Sequence, residues 1–214
     1  MPADSTSPDR VGQPARTAGV LLAAGMSRRV GQLKQALDWS GRSILRHVAE
    51  TLLAAGLRPV CVVLGHERVR LARELAGLDV HVVENPAYES GMFSSVRCGL
   101  AALPPDATSC VIALVDQPRV TADVIRQLVG EHLRHAAAVT MPRFGAETGH
   151  PVVLARRVVD AALAADPTAT LRDVLAGFAE HAHYVDVETD SVVSDIDTMS
   201  DYERQRPSDG IPWR

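Results

Sequence analysis

At 214 residues the chain is long enough for one α/β domain with a full hydrophobic core. Its 22 Lys and Arg stand against 26 Asp and Glu, a formal net charge of −4 that disfavours a nucleic-acid or anionic-membrane surface. No apolar run is long enough to span a bilayer, and residues 1–17, rich in Pro, Ser, Asp and Arg, lack a signal peptide's apolar core and read as a disordered leader.

In chain order, residues 20–23 form a short apolar strand that breaks at Gly25. The loop beyond it carries Ser27, Arg28, Arg29, Gly31 and Lys34. Glycines let a ligand come close to the backbone, and exposed N–H groups beside Arg and Lys suit a phosphate. The spacing is neither G-x-x-x-x-G-K-[ST] nor G-x-G-x-x-G, so it suggests a nucleotide at the strand's carboxyl end and argues against a dinucleotide fold. A plain strand and loop with surface charges would have the same spacing.

Residues 37–41 read as a brief strand and turn. Ser43 then caps a helix to about residue 55, with Ile44, Leu45, Val48, Leu52 and Leu53 on one apolar face. Residues 58–64 contain a continuous apolar run, as in a strand buried on both faces. A helix from about 65 to 75, a strand at 79–83, a loop at 84–91 and a helix from Ser94 to 103 follow. Residues 109–115 are the most strand-like in the chain, stop at Asp116, and lead to a helix at 121–135. This alternation predicts a mostly parallel, Rossmann-like sheet in a single domain, with helices on both faces. Ligands in such sheets bind beyond the strands' carboxyl ends, where the loops at Gly25, Asn85 and Asp116 lie.

The remainder is less regular: strands at 138–141, 151–154, 183–187 and 192–198, helices at 158–164 and 171–178, and a short helix near Tyr202. The domain therefore spans residues 18–206, with 207–214 a loose tail. Cys61, Cys98 and Cys110 give neither a disulfide framework nor a Cys-x-x-Cys pair, and read as small buried hydrophobes in a reducing cytoplasm.

Asp116 ends an otherwise apolar strand, so its carboxylate either caps the next turn or offers oxygen to a hard cation such as Mg²⁺. Asp195 and Asp197 alternate on an extended segment and can face one side, or can serve as caps of the helix that follows. His150 either touches a substrate or pins a turn. Ser94 and Ser95 either contact a ligand or cap their helix. His132 and His135 are three apart on a helix, a spacing open to zinc, but without a third ligand they read as an exposed helix face.

Together these residues resemble a known signature. Leu22-Ala23-Ala24-Gly25-x-Ser27-x-Arg29-x-Gly31-x-x-Lys34 is similar to the motif of nucleotidyltransferases that activate sugars, isoprenoid precursors and molybdopterin. Asn85-Pro86 with Gly91-Met92-x-Ser94-Ser95, Asp116-Gln117-Pro118, Gly149-His150-Pro151, and Asp195-Ile196-Asp197-Thr198 with Asp201-Tyr202 resemble the molybdenum-cofactor cytidylyltransferase branch. The resemblance implies a nucleotide-diphospho-sugar-transferase-like fold and transfer of CMP from CTP to a phosphorylated, molybdopterin-type acceptor, with release of pyrophosphate. It implies that the backbone of Leu22, Ala23, Ala24 and Gly25 faces the nucleoside and that Ser94 and Ser95 line the base pocket. Arg29 and Lys34 would hold the triphosphate, Asp116 and Asp197 would carry Mg²⁺, and His150 would face the acceptor. Ala24, where guanylyl-transferring relatives have glycine, implies CTP over GTP.

Two positions depart from that branch: Thr148 stands where Arg is usual before Gly-His-Pro, and Met199-Ser200 where Pro-Glu is usual. The first bears on the acceptor, the second only on a helix start. The resemblance also implies a possible molybdenum hydroxylase apoprotein as partner, a cytoplasmic setting, and neither nucleic acid nor membrane. An NADPH-dependent oxidoreductase of the nicotine-blue-reductase type and a non-catalytic cofactor carrier or chaperone are the alternatives. The missing dinucleotide fingerprint argues against the first, the metal-type acid pair against the second.

Overall fold

A computed structural model describes residues 16–27 and 30–207. Residues 1–15, Arg28, Arg29 and residues 208–214 lie outside the described residues, whereas Arg16 and Thr17, read as the end of the leader, are described and Thr17 opens the first strand. The sheet is built from β1 (Thr17–Leu22), β2 (Val60–Leu64), β3 (His81–Glu84), β4 (Ser109–Leu114), β5 (Val139–Phe144), β6 (Glu147–Thr148), β7 (Val152–Ala155) and β8 (Ala182–Asp186). Its order is β3-β2-β1-β4-β7-β5-β6, with β8 pairing β5. β3, β2, β1 and β4 run parallel. β7 is antiparallel to β4 and β5, and β8 is parallel to β5, so the sheet is mixed but mostly parallel at its nucleotide-type half.

The helices are α1 (Ile44–Ala54), α2 (Arg68–Glu74), α3 (Met92–Ala101), α4 (Ala122–His135), α5 (Arg156–Ala164), α6 (Leu171–Ala176) and α7 (Met199–Gln205). Side chains alternate along β1: Leu21 joins a core with Ile44, Leu52, Leu71 and Leu128, while Val20 and Leu22 join a second core with Phe93, Leu100 and Val158. Two apolar layers thus cover the two faces, as the unbroken apolar runs of β1, β2 and β4 require. Burying one such Leu contributes about 1.5–3 kcal/mol. α3 can sit this close because of Gly99, where a Cβ would stand 2.5 Å from Val20 Cγ1.

Caps explain several boundaries. Ser43 accepts from Arg46 N, as its sequence position predicts, and Thr121, read as the first residue of its helix, instead caps it by accepting from Val124 N. α3, however, starts at Met92, after Gly91 at φ +116°, so Ser94 and Ser95 lie inside the helix and do not cap it. Residues 37–41 form no strand beyond a single Asp38–Ser43 bridge.

The expected strand at 192–198 is also absent. A 3₁₀ turn over Asp190–Val192 precedes an irregular segment whose backbone bonds go to loops: Val192 O accepts from His150 N and Gln117 Nε2, and Ile196 N donates to Asp116 O. A ladder cannot form with those groups already engaged. His132 is not on an exposed face either. It turns into the core, its Nδ1 3.0 Å from Thr140 Oγ1. No helix among the described residues is long and apolar enough to cross a membrane.

Candidate active site

The strand order reverses between β1 and β4, since β2 and β3 lie on one side of β1 and β4 on the other. Ligands in open α/β sheets bind at such a switch point. A cleft of about 300 Å³ opens there, lined by Ala23, Ala24, Gly25, Lys34, Asp116 and Asp197, among others. Leu22 and Ser95 also line it.

The loop after β1 is held from within. Gln35, only 1% exposed, donates from Nε2 to Ala23 O (3.1 Å) and Gly25 O (2.7 Å). Its Oε1 accepts from Ser27 Oγ at 2.9 Å, and Lys34 N donates to that same hydroxyl at 3.2 Å. Two carbonyls of the glycine turn are therefore tied down, which leaves the loop's outer side facing the cleft. Gln35 is a site residue that the sequence did not disclose. A polar residue beside Lys34 carries no periodic signal, and its partners lie 10 and 12 residues away.

Lys34 reaches across to the end of β4. Its Nζ donates to Asp116 Oδ2 (2.9 Å) and Ile196 O (3.1 Å) and lies 4.0 Å from Asp197 Oδ1. Asp195 is the third acid here. It accepts from Gln117 Nε2 at 2.8 Å. Desolvation raises its carboxyl above the usual range, with the Asp116 and Asp197 charges pushing the same way and Gln117 and Lys34 opposing. Asp197 is not a helix cap. Thr198 and Asp201 form the capping box of α7 instead.

Asp116 Oδ1 is buried and, among the described residues, has no hydrogen-bond partner. An orphaned carboxylate oxygen is costly in protein and points to an additional cation. The donor set of Asp116 and Asp197, all oxygen, fits a hard divalent ion.

On the far side of the cleft, buried Asn85 donates from Nδ2 to Ser94 Oγ (2.8 Å) and Ser95 Oγ (2.9 Å). Ser95 lines the cleft, whereas Ser94 Oγ turns back to donate to backbone oxygens of Ala87 and Gly91. Tyr88 and Met92, neither of which sequence reasoning assigned a role, complete that wall. His150 is not among the lining residues. Burial lowers its imidazole below the ordinary range, and the Asp116 charge pulls it back, so the two groups lie within electrostatic reach. Gly149 beside it permits the close approach of the 192 segment: a Cβ there would sit 1.8 Å from Val192 O. Arg29 lies outside the described residues.

The sequence matches the family described as MobA-like NTP transferase domain over residues 19–186. The chain belongs to this family. It is 27% identical over 184 residues to the molybdenum cofactor cytidylyltransferase of Escherichia coli (strain K12), which covers 86% of this chain and 92% of the relative. It is 34% identical over 143 residues to the nicotine blue oxidoreductase of Paenarthrobacter nicotinovorans, 64% of this chain and 69% of the relative. Among solved structures it resembles the Rv0371c protein of Mycobacterium tuberculosis H37Rv, with TM-score 0.76, 26% identity, and 89% and 97% of the two chains covered. A manganese complex of that same mycobacterial protein superposes with TM-score 0.72 at 26% identity, covering 90% and 98%. The fold is that of the nucleotide-diphospho-sugar transferases, and the family is one of nucleotidyltransferases.

Proposed function

We propose that this family member transfers CMP from CTP to a phosphorylated acceptor of the molybdopterin type, releasing pyrophosphate. The observation that carries the reading is the Lys34 ammonium set between Asp116 and Asp197 at the mouth of the β1 loop, with Asp116 Oδ1 lacking a hydrogen bond among the described residues. The relationship to the E. coli cytidylyltransferase supports the choice of reaction.

In this reading the backbone of Leu22, Ala23, Ala24 and Gly25 receives the base and ribose, with Ser95, held by Asn85, opposite; Ser94, which the resemblance also placed there, bonds Asn85 and backbone oxygens instead. Lys34 and Arg29 hold the triphosphate. An acceptor phosphate oxygen attacks the α-phosphorus in line, the bond to the β-phosphate breaks, and Lys34 stabilises the charge gathering on the leaving pyrophosphate. Asp116 and Asp197 would hold Mg²⁺, which when bound neutralises phosphate oxygens in the transition state. The manganese complex of the mycobacterial relative supports a divalent ion in this fold. His150 faces the acceptor. A molybdenum hydroxylase apoprotein receiving the product, in the cytoplasm, completes the proposal.

Thermal shift against CTP, GTP, ATP, UTP and NADPH, each with and without Mg²⁺, tests it. A nucleotide at 100 times its dissociation constant should stabilise the fold by about 2.7 kcal/mol. CTP with Mg²⁺ should give the largest shift, and pyrophosphate should then appear only when molybdopterin is added. Stabilisation by NADPH and by no triphosphate would favour the oxidoreductase chemistry of the Paenarthrobacter relative instead.

A further inference from the structure

Away from the cleft, the last two turns of α4 approach strand β8. Glu131 and His135 are one helical turn apart, and His183 stands beside them on β8. Glu131 Oε2 lies 3.2 Å from His135 Nε2 and 3.6 Å from His183 Nε2. The two imidazoles stack with centroids 4.0 Å apart, and the three ligand atoms all fall within 4.8 Å of one another.

We propose that Glu131, His135 and His183 form a surface site for a divalent transition metal of the zinc type, separate from the nucleotide cleft. Zinc takes imidazole nitrogen and carboxylate oxygen at 2.0–2.2 Å in tetrahedral array, which sets neighbouring ligand atoms about 3.4 Å apart. Two of the three edges here already match that spacing. The i,i+4 pair puts two ligands on one helix face, and the third comes from a regular strand, so all three sit on rigid elements.

Three further features agree. Arg134 Nη1 donates to Glu131 Oε1 and leaves Oε2, the oxygen both histidines approach, as the free ligand atom. Such an outer bond orients a ligating carboxylate. The site lies at the C-terminal end of a 14-residue helix, whose dipole favours a cation. His132, on the same turn, bonds Thr140 Oγ1 of β5, and Thr140 stands directly opposite His183 in the β5–β8 register, which fixes the spacing of helix and strand. Three protein ligands leave one position for water, and the metal would fasten β8, which among the described residues pairs only with β5, to the helix.

The test uses tag-free, chelator-treated full-length protein titrated with Co²⁺ and then Zn²⁺. Wild type should bind one equivalent of Co²⁺ with the visible bands of low-coordinate imidazole ligation, displaced by Zn²⁺, and Zn²⁺ should raise Tm. His135→Ala, His183→Ala and Glu131→Gln should each weaken binding at least tenfold. The histidine side chains are 48% and 29% exposed, so their removal should leave the apo Tm and CTP response in place. Asp116→Asn should leave the imidazole-type bands unchanged. Equal Zn²⁺ binding by wild type and the His135→Ala/His183→Ala double variant would overturn the proposal. So would binding lost in Asp116→Asn but kept in the double variant, or no binding at micromolar metal.

Discussion

Lys34 Nζ donates to Asp116 Oδ2 at 2.9 Å across 82 residues of sequence, joining the loop after β1 to the end of β4. This bond closes the cleft at the switch point of the sheet. It also leaves the second oxygen of Asp116 without a hydrogen bond among the described residues. Asp116→Asn tests what that oxygen is for. The amide keeps the shape and still accepts from Lys34, but loses the anionic charge that would hold a divalent ion. Turnover should fall about 100-fold or more, with much of the loss recovered at high Mg²⁺, because weakened metal binding is the cause. Tm should stay close to wild type, since one of three neighbouring carboxylate charges has been removed. Normal turnover at low Mg²⁺ would exclude Asp116 as the metal ligand.

Gln35 makes the opposite kind of prediction, one of stability first and activity second. Gln35→Leu fills similar volume but strips the donors from Ala23 O and Gly25 O and the acceptor from Ser27 Oγ. A buried carbonyl left without a partner costs about 1–3 kcal/mol. Urea unfolding should show a loss of about that size, together with weaker nucleotide binding from a loosened loop. An unchanged midpoint would mean that water replaces the side chain.

Much of this architecture is written in the chain and part of it cannot be. Beyond Thr17 and Ser109, which open β1 and β4, the runs at β1, β2 and β4 carry no polar side chain because both faces are covered, so their identity needs no partner to be legible. Ser43 and Thr121 cap through bonds to residues three further on, also a local matter. The segment at 192–198 misleads because Val192 and Ile196 are buried, while its backbone groups answer to His150, Gln117 and Asp116. Gln35's role and the placing of His183 beside the local pair Glu131 and His135 are invisible for the same reason: those contacts are set by the tertiary fold.

Ala24 is buried at the cleft wall, and its two neighbours, Ala23 and Gly25, are held through their carbonyls by Gln35. A methyl group on a rigid wall narrows the space for a purine. In the proposed reading Ala24→Gly should therefore raise GTP use relative to CTP, by about 10-fold on the scale of one methylene's worth of pocket. The measurement is the ratio of kcat/KM for the two nucleotides. A wild-type preference for GTP or ATP would remove the basis for this expectation.

His47 of α1 supports the turn after β4 through Pro118 and carries a pH dependence. Its Nε2 lies 2.9 Å from Pro118 O, a pure acceptor, so Nε2 bears the proton and Nδ1 is bare. Nδ1 is buried with no acceptor near it among the described residues. Protonation would place a charge there, and burial accordingly lowers the imidazole below its ordinary value of 6.5, against the pull of the Pro118 bond. A lowered folded value means the unfolded chain takes up protons first. This contribution to stability is whole above pH 6.5 and is lost as pH falls from there towards the lowered value. His47→Gln keeps a donor for Pro118 O and cannot titrate, so the slope of Tm against pH below 6.5 should become shallower. An identical slope would assign the acid limb to other groups.

The last prediction concerns the acceptor. His150 lies outside the residues that line the cleft, with its backbone N bonded to Val192 O and Gly149 pressed against the same carbonyl. That backbone anchoring is independent of the imidazole, so His150→Ala should leave the loop and its turn in place. If the imidazole orients the acceptor, its removal acts on the transition state and spares a nucleotide bound in the cleft, which His150 does not line. Acceptor kcat/KM should then drop about 10–100-fold, while CTP affinity and Tm change little. A histidine that serves only the fold would give a different pattern on the same preparation. Tm would fall, and CTP binding and acceptor use would weaken together, because both depend on the Asp116 loop that the 192 segment braces. Finding that pattern would withdraw His150 from the acceptor site.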